Sequence, residues 1–171
     1  LEAKKATLAI AKTDSPTYLR LAREKTPIIT TEASPFQLGK ANVLWQSEQP
    51  EVTIIACGPM VYNALSAAQE LFEEHNIQSV VINIHTIKPL DTETILYWAK
   101  NTKAVVTVEE HQKRGGLGSA VAEFLVEHHP VPMTLMGVDD QFGQSGTQQE
   151  LIEHYGLGIK AIKKSIEQMV K

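Results

Sequence analysis

The chain has 171 residues, of which 43% are hydrophobic and 21% charged, a composition typical of an ordinary globular domain. The formal net charge of −4 argues against nucleic acid or an anionic membrane surface as the main partner. The one cysteine, Cys57, excludes an internal disulfide framework and fits a reducing, cytoplasmic location.

The first 36 residues show little of the regular patterning found later in the chain. Residues 1–12 predict a short helix ending near Asp14, residues 17–23 (TYLRLAR) a strand, and residues 24–36 a linker. Because helix-like sequence begins at once and without methionine, we expect the chain to be a piece of a longer polypeptide. We also expect residues 1–36 to pack poorly, which would leave several apolar side chains without a core. These are Leu19, Leu21, Ile28 and Ile29.

From residue 37 onward, strands and helices alternate. The predicted strands are KANVLWQ, VTIIAC, SVVINIHTIKP, AVVTVEE and VPMTLMGV. The predicted helices are MVYNALSAAQELFEEHN, DTETILYWAKN, GGLGSAVAEFLVEHH, TQQELIEHYGL and IKAIKKSIEQMVK. This order predicts a three-layer α/β/α domain with a mostly parallel five-stranded sheet. We expect KANVLWQ to be the one antiparallel strand and to lie against VTIIAC, because only a few residues join the two.

Local signals mark several element ends. Asp91 is expected to cap the helix that follows it, and Thr147 with Glu150 forms a capping box. His128 and His129 fall at the end of a helix, where positive charge is favourable. Cys57 ends a buried strand, which favours inert packing over nucleophilic catalysis.

Ligands of such sheets gather at the carboxyl ends of the strands. The residues expected at this edge are Gly58, Lys88, Glu109, Glu110, His111, Asp139 and Asp140. The two glutamates and the histidine could transfer a proton or hold a cation. Successive side chains on an extended strand point to opposite sides, however, so a structural or interface role is favoured. The six histidines show no metal-ligand spacing, and we predict neither a metal site nor a catalytic residue in this chain.

The glycines of GGLGS, residues 115–119, allow two interpretations. The segment opens a predicted helix, whose free N–H groups could hold an anion. Its spacing departs from G-x-G-x-x-G, and it follows the third main strand rather than the first. A tight turn between strand and helix is therefore the preferred interpretation.

Three ordered motifs, INIHTIKPLD, TVEEHQKRGGLGSAVAEFL and GVDDQFGQSGTQQELIEHYGL, together resemble the C-terminal domain of transketolases. The resemblance is closest to the split bacterial and archaeal type, in which a second subunit carries the pyrimidine-binding and C-terminal regions. It covers essentially the whole chain. It implies that residues 1–23 are the tail of the pyrimidine-binding domain, 24–36 a linker, and 37–171 the C-terminal domain. Related domains occur in the 2-oxo acid dehydrogenase beta chain and in 1-deoxyxylulose-5-phosphate synthase, but HTIKPLD and His111 favour transketolase.

The resemblance implies a parent enzyme that moves a two-carbon ketol unit between sugar phosphates, using thiamine diphosphate and magnesium, in the pentose phosphate pathway. It implies as partners the remaining domains or a separate N-terminal subunit, in a homodimeric parent. It also gives Arg23 a role in binding the substrate's phosphate, since Arg23 matches an arginine after the last pyrimidine-domain strand. A guanidinium can grip a phosphate with two hydrogen bonds. The alternative is that Arg23 is a solvated linker charge.

The chain contains no Gly-Asp-Gly magnesium motif, and the glutamate that activates the cofactor would precede Leu1. We therefore expect this chain to bind no cofactor, to be inactive alone and to support the dimer. The alternative from another class is a stand-alone binding module that takes a regulatory ligand at the carboxyl edge.

Overall fold

The structure, a computed structural model, describes residues 1–170; Lys171, the last residue of the predicted closing helix, lies outside them. The strands are β1 (Asn42–Gln46), β2 (Val52–Ala56), β3 (Ser79–Asn83), β4 (Ala104–Gln112) and β5 (Met133–Val138). The helices are α1 (Glu2–Ile10), α2 (Met60–His75), α3 (Thr92–Lys100), α4 (Leu117–His128), α5 (Gln148–His154) and α6 (Ile159–Val170).

The five strands form one sheet in the order β1-β3-β2-β4-β5. Strands β2 to β5 are parallel, and β1 pairs antiparallel with β3. The predicted fold class is confirmed. The predicted neighbour of β1 is wrong: β1 runs opposite to β2 but is hydrogen-bonded to β3. Both sides of β2 are already taken by the parallel partners β3 and β4, so the incoming strand has to add at the edge.

Helices cover both faces of the sheet and bury two apolar layers. One face packs against α2 and α6 through residues that include Ile54, Val81, Val106, Leu71 and Ile162. The other packs against α3 and α4 through residues that include Ile55, Ile82, Val105, Ile95 and Val121. Strands β2 and β3 are buried along their whole length, as expected for parallel strands covered on both sides.

The structure corrects the prediction for TYLRLAR, because residues 18–23 are not in a strand. No strand within residues 1–170 runs beside this segment, so its alternating pattern has no ladder to join. Leu21 and Ile28 are exposed, as predicted, but Leu19 is half-buried and Ile29 packs against the core. The expectation of poor packing therefore holds for the middle of the N-terminal region and fails at both of its ends.

Helix α1 and the chain before β1 are held against the domain by polar contacts. The Lys5 ammonium donates to the carbonyl oxygens of Thr31, Glu32 and Ser34 at 2.8, 2.9 and 2.5 Å. Glu2 accepts a hydrogen bond from the buried Asn83 side chain, at the end of β3. These contacts place α1 at the carboxyl edge of the sheet, and residues 12–28 form an exposed arm between the two held parts.

Candidate functional site

The carboxyl edge of the sheet brings together the starts of three helices and part of the N-terminal region. Helices α2, α3 and α4 each follow a strand, β2, β3 and β4 respectively, so their first turns lie at this edge. Free N–H groups and the positive end of the helix dipole make such first turns attractive to anions. The question is which of these groups are available to a ligand.

Glu109 occupies the start of α4. Its side chain is only 2% exposed, and its two oxygens accept hydrogen bonds from the Leu117 and Gly118 amides, both at 2.8 Å. A carboxylate on free helix amides forms charge-assisted bonds, stronger than those between neutral groups. The idea that Glu109 is polar because the chain emerges into water is therefore wrong, since this carboxylate is buried within the domain.

The glycines of the 115–119 loop allow this close approach. A methyl group on Gly116 would overlap Glu109 Oε2, and one on Gly118 would lie 2.7 Å from Thr107 Oγ1. Gly115 has a left-handed backbone, with φ of 79°. The preferred interpretation of this loop as a tight turn is confirmed. The anion on the Leu117 and Gly118 amides is the protein's own carboxylate.

Glu110 and His111 do not join Glu109 in one cluster. The pairing of β4 with β5 is irregular between Val108 and Gln112, and the three side chains diverge there. The backbone carbonyl of Glu110 accepts a hydrogen bond from Arg20 at 3.2 Å. His111 is exposed; its Nδ1 lies 2.8 Å from its neighbour's carbonyl and 3.9 Å from Glu109 Oε2.

The other acids of the edge are paired with nearby side chains. Asp139 lies 3.0 Å from the Lys113 ammonium. Asp140 and Gln112 exchange two hydrogen bonds, one through the Asp140 amide at 3.1 Å and one through its carboxylate at 3.3 Å. Lys88 is exposed. The edge is thus rich in polar groups that are largely engaged with one another.

Asp91 caps α3, as predicted, and does more than the pattern showed. Its carboxylate accepts from the Thr94 amide and hydroxyl, and also from the Ala41 amide at 2.8 Å, which ties the chain before β1 to α3. Burial alone would raise the pKa of Asp91. The hydrogen bonds from Ala41 and Thr94, with Lys40 nearby, outweigh this effect and hold its pKa below the ordinary value.

Helix α2 starts differently, after Cys57, Gly58 and Pro59. No side chain in the described part of the chain is hydrogen-bonded to its first turn. Burial, and next the Glu109 charge, raise the pKa of the Cys57 thiol to about 12, although Arg20 opposes the rise. The thiol is therefore protonated at neutral pH, which agrees with the predicted inert role.

Sequence reasoning missed three contributors to this edge. Asn83 is fully buried at the end of β3, and Phe36 stacks on His85 with 4.2 Å between the ring centroids. Burial lowers the pKa of His85, although Glu2 opposes the shift. An asparagine directly after a run of apolar strand residues was the available signal for Asn83.

Arg23 stands apart from all of these residues. Its side chain is 97% exposed, and its ionic contact is with the neighbouring Glu24 at 3.9 Å. A lone pair of this kind contributes little to stability. Among residues 1–170, nothing in this environment holds Arg23 to the domain.

The described residues do not fit a metal-bound diphosphate. Within residues 1–170, no group of three or more His, Cys, Asp or Glu side chains is placed to hold a metal ion. The most buried carboxylate of the edge, Glu109, has both oxygens on backbone amides. The same residues include no helix long and apolar enough to cross a membrane.

The architecture and its edge define a class: a three-layer α/β/α domain with a mixed five-stranded sheet. The sequence profile described as "Transketolase, C-terminal domain" matches residues 39–162. The chain belongs to the transketolase C-terminal domain family.

Two curated relatives and one solved structure illustrate the similarity. The "6-deoxy-6-sulfo-D-fructose transketolase subunit SqwH" of Clostridium sp. (strain MSTE9) is 44% identical over 158 residues, covering 92% of this chain and 48% of that protein. A subunit of the apulose-4-phosphate transketolase of Phocaeicola vulgatus is 40% identical over 157 residues, covering 91% and 49%. A solved "Split gene transketolase, inactive beta4 tetramer" superposes with a TM-score of 0.88 at 40% identity, covering 98% and 52%. The chain spans about half the length of these relatives.

Proposed function

We propose that this chain is the C-terminal part of a split, thiamine-diphosphate-dependent transketolase that transfers a two-carbon ketol unit between sugar phosphates. In this proposal residues 1–23 complete the pyrimidine-binding domain, 24–36 form the linker and 37–171 form the C-terminal domain. Family membership and the similarity to subunits of split transketolases support the reaction class.

The part played by this chain is structural. The observation that carries this point is the Glu109 carboxylate, because it satisfies the helix start at which a glycine loop would otherwise receive a phosphate. The domain then offers a rigid platform at its carboxyl edge rather than reacting groups.

Thiamine diphosphate supplies the carbanion chemistry of such enzymes, and in this proposal other regions of the parent enzyme hold it and its magnesium. The partners of this chain are therefore those regions, on the same polypeptide or on a separate N-terminal subunit, in a homodimeric, cytoplasmic enzyme. The chain alone is inactive.

The substrate carries an anionic end that Arg23 binds. An exposed guanidinium is ready to form two parallel hydrogen bonds with a phosphate or a sulfonate. The names of the two curated relatives include one sugar of each kind, a phosphate and a sulfo sugar. We favour the phosphate, because Arg23 matches the phosphate-binding arginine of the family.

The test compares this chain with the complete enzyme. The complete enzyme is expected to transfer a ketol unit to ribose 5-phosphate, and this chain alone to show neither transfer nor calorimetric binding of thiamine diphosphate with magnesium. Arg23→Ala in the complete enzyme is expected to raise KM for the phosphorylated sugar, with cofactor affinity unchanged. Release of CO2 from pyruvate in place of ketol transfer would instead identify a deoxyxylulose-phosphate synthase. Micromolar cofactor binding by the chain alone would refute the structural role.

A further inference from the structure

The exposed arm of residues 12–28 touches the domain through Arg20. The guanidinium of Arg20 donates from Nη1 to the carbonyl oxygen of Glu110, at 3.2 Å, across 90 positions of sequence. Arg20 also lies close enough to Cys57 to oppose the rise in its pKa, as do the opposite charges of Glu109 and Glu110 in the other direction. The arm is therefore held at the irregular end of β4, against the acidic pair.

The Glu110 carbonyl is in turn a well-placed acceptor. The next residue back, Glu109, is locked onto the first turn of α4 by two hydrogen bonds, so the backbone that presents the carbonyl cannot shift freely. The link from α4 through Glu109 and Glu110 to Arg20 joins the rigid domain to the arm.

This link limits where Arg23 can lie. Arg23 follows Arg20 by three positions, and an extended chain of that length spans at most about 11 Å between Cα atoms. Arg23 itself has no contact with the folded domain among the described residues, since its ionic partner is the adjacent Glu24. Its location relative to the sheet edge therefore depends on the Arg20 contact.

We propose that Arg20 is a positioning residue for substrate binding: by holding the arm to the Glu110 carbonyl, it sets the location from which Arg23 reaches the anionic end of the sugar. This inference rests on the proposed phosphate-binding role of Arg23. Without the contact, Arg23 samples more positions, and the effective concentration of its guanidinium at the phosphate falls.

The experiment uses the complete enzyme and measures KM and kcat for ribose 5-phosphate and for ribose. The variants are Arg20→Gln, Arg20→Lys, Arg23→Ala and the double variant Arg20→Gln/Arg23→Ala. Arg114→Gln is the matched control, because it removes an exposed guanidinium from the same edge. Thermal unfolding of each variant separates a loss of stability from a loss of positioning.

We expect Arg20→Gln to raise KM for ribose 5-phosphate by about three- to tenfold, the range for losing one hydrogen bond to a charged group. The values of kcat, KM for ribose and Tm should be unchanged, and Arg20→Lys should recover part of the loss. The double variant should be no worse than Arg23→Ala alone, because an arm without Arg23 has nothing left to position.

Three results would overturn the proposal. They are an unchanged KM in Arg20→Gln, an equal rise in KM for ribose, and a double variant whose loss is the product of the two single losses. The last would mean that Arg20 contacts the phosphate itself. A normal KM in Arg23→Ala would refute the proposed phosphate role directly, whereas a raised KM there with a normal KM in Arg20→Gln refutes only the positioning role.

Discussion

The starts of α4 and α2 lie at the same edge of the sheet and are completed in opposite ways. At α4, a carboxylate from the preceding strand is buried on two helix amides. At α2, the helix begins at Pro59, and within residues 1–170 no side chain caps it. The start of α3 resembles that of α4, since Asp91 also brings a buried carboxylate. An acid at the end of a parallel strand can thus serve the protein's own helix as readily as a ligand.

Removal of the Glu109 carboxylate tests this difference most strongly. Glu109→Ala is expected to lower the free energy of unfolding by about 3 kcal/mol, because two buried, charge-assisted hydrogen bonds disappear together. Urea denaturation followed by circular dichroism measures the change. Glu110→Ala is the matched control and should stay within about 0.5 kcal/mol of the original chain. Equal losses in the two variants would contradict the assignment.

Gly116→Ala examines the same start from the loop side. The new methyl group would overlap Glu109 Oε2, so the carboxylate has to move off the helix amides although it is still present. We expect a loss close to that of Glu109→Ala, and the double variant should lose little more than either single variant. Additive losses would show that the two residues do not act through one contact.

The Asp91 carboxylate is expected to matter next. Asp91→Ala should lower the free energy of unfolding by about 2 kcal/mol at neutral pH, the upper end for a helix cap, because it also frees the Ala41 amide. Since the folded-state pKa of Asp91 is lowered, its contribution is complete above the ordinary value of about 4 and is lost as the pH falls below it. Denaturation curves from pH 7 to pH 2 should therefore converge for Asp91→Ala and the original chain. A gap that stays constant would contradict the shift.

The open start of α2 should respond less. Gly58 has φ of 57°, and among the described residues no atom lies within 4 Å of the position that a Cβ would occupy. Gly58→Ala should therefore lower the free energy of unfolding by about 1 kcal/mol, from backbone strain alone. Gly58→Asn should lower it less, because asparagine tolerates the left-handed region better. A loss as large as that of Gly116→Ala would mean that this turn is crowded after all.

The smallest effect concerns reactivity rather than stability. A thiol with a pKa of about 12 has little thiolate at pH 8, so iodoacetamide should modify Cys57 about a thousandfold more slowly than a free thiol with pKa near 8.5. Mass spectrometry of the intact chain follows the reaction. Modification at the rate of glutathione under the same conditions would show that the α2 start activates the thiol.

Local patterns predicted most of the fold, because their causes lie within a few residues. The apolar runs of β2 and β3, the Asp91 cap and the Thr147–Glu150 capping box all depend on neighbours in sequence. The alternation of strands and helices carried the fold class for the same reason. The resemblance to transketolases drew on motifs spread along the chain and identified the family.

Contacts between distant residues could not be predicted in this way. The partner of β1 depends on which sheet edge is open after the crossovers form, and the TYLRLAR segment needs a neighbouring strand that its own residues do not specify. Glu109 was considered as a ligand group, since its sequence neighbours say nothing about amides eight and nine positions ahead. The contact between Arg20 and Glu110 spans 90 positions and has no sequence signature.

The Lys5 contacts have one more consequence, which concerns the length of the chain between the two ends that they join. Lys5 and Ser34 are 29 positions apart, so their contact closes a loop that contains the exposed arm. The entropy of closing a flexible loop grows only with the logarithm of its length, by about 0.6 kcal/mol for each doubling. Insertions or deletions of several residues within the arm should therefore cost the folded domain little, and the arm can vary in length while α1 stays docked on the sheet.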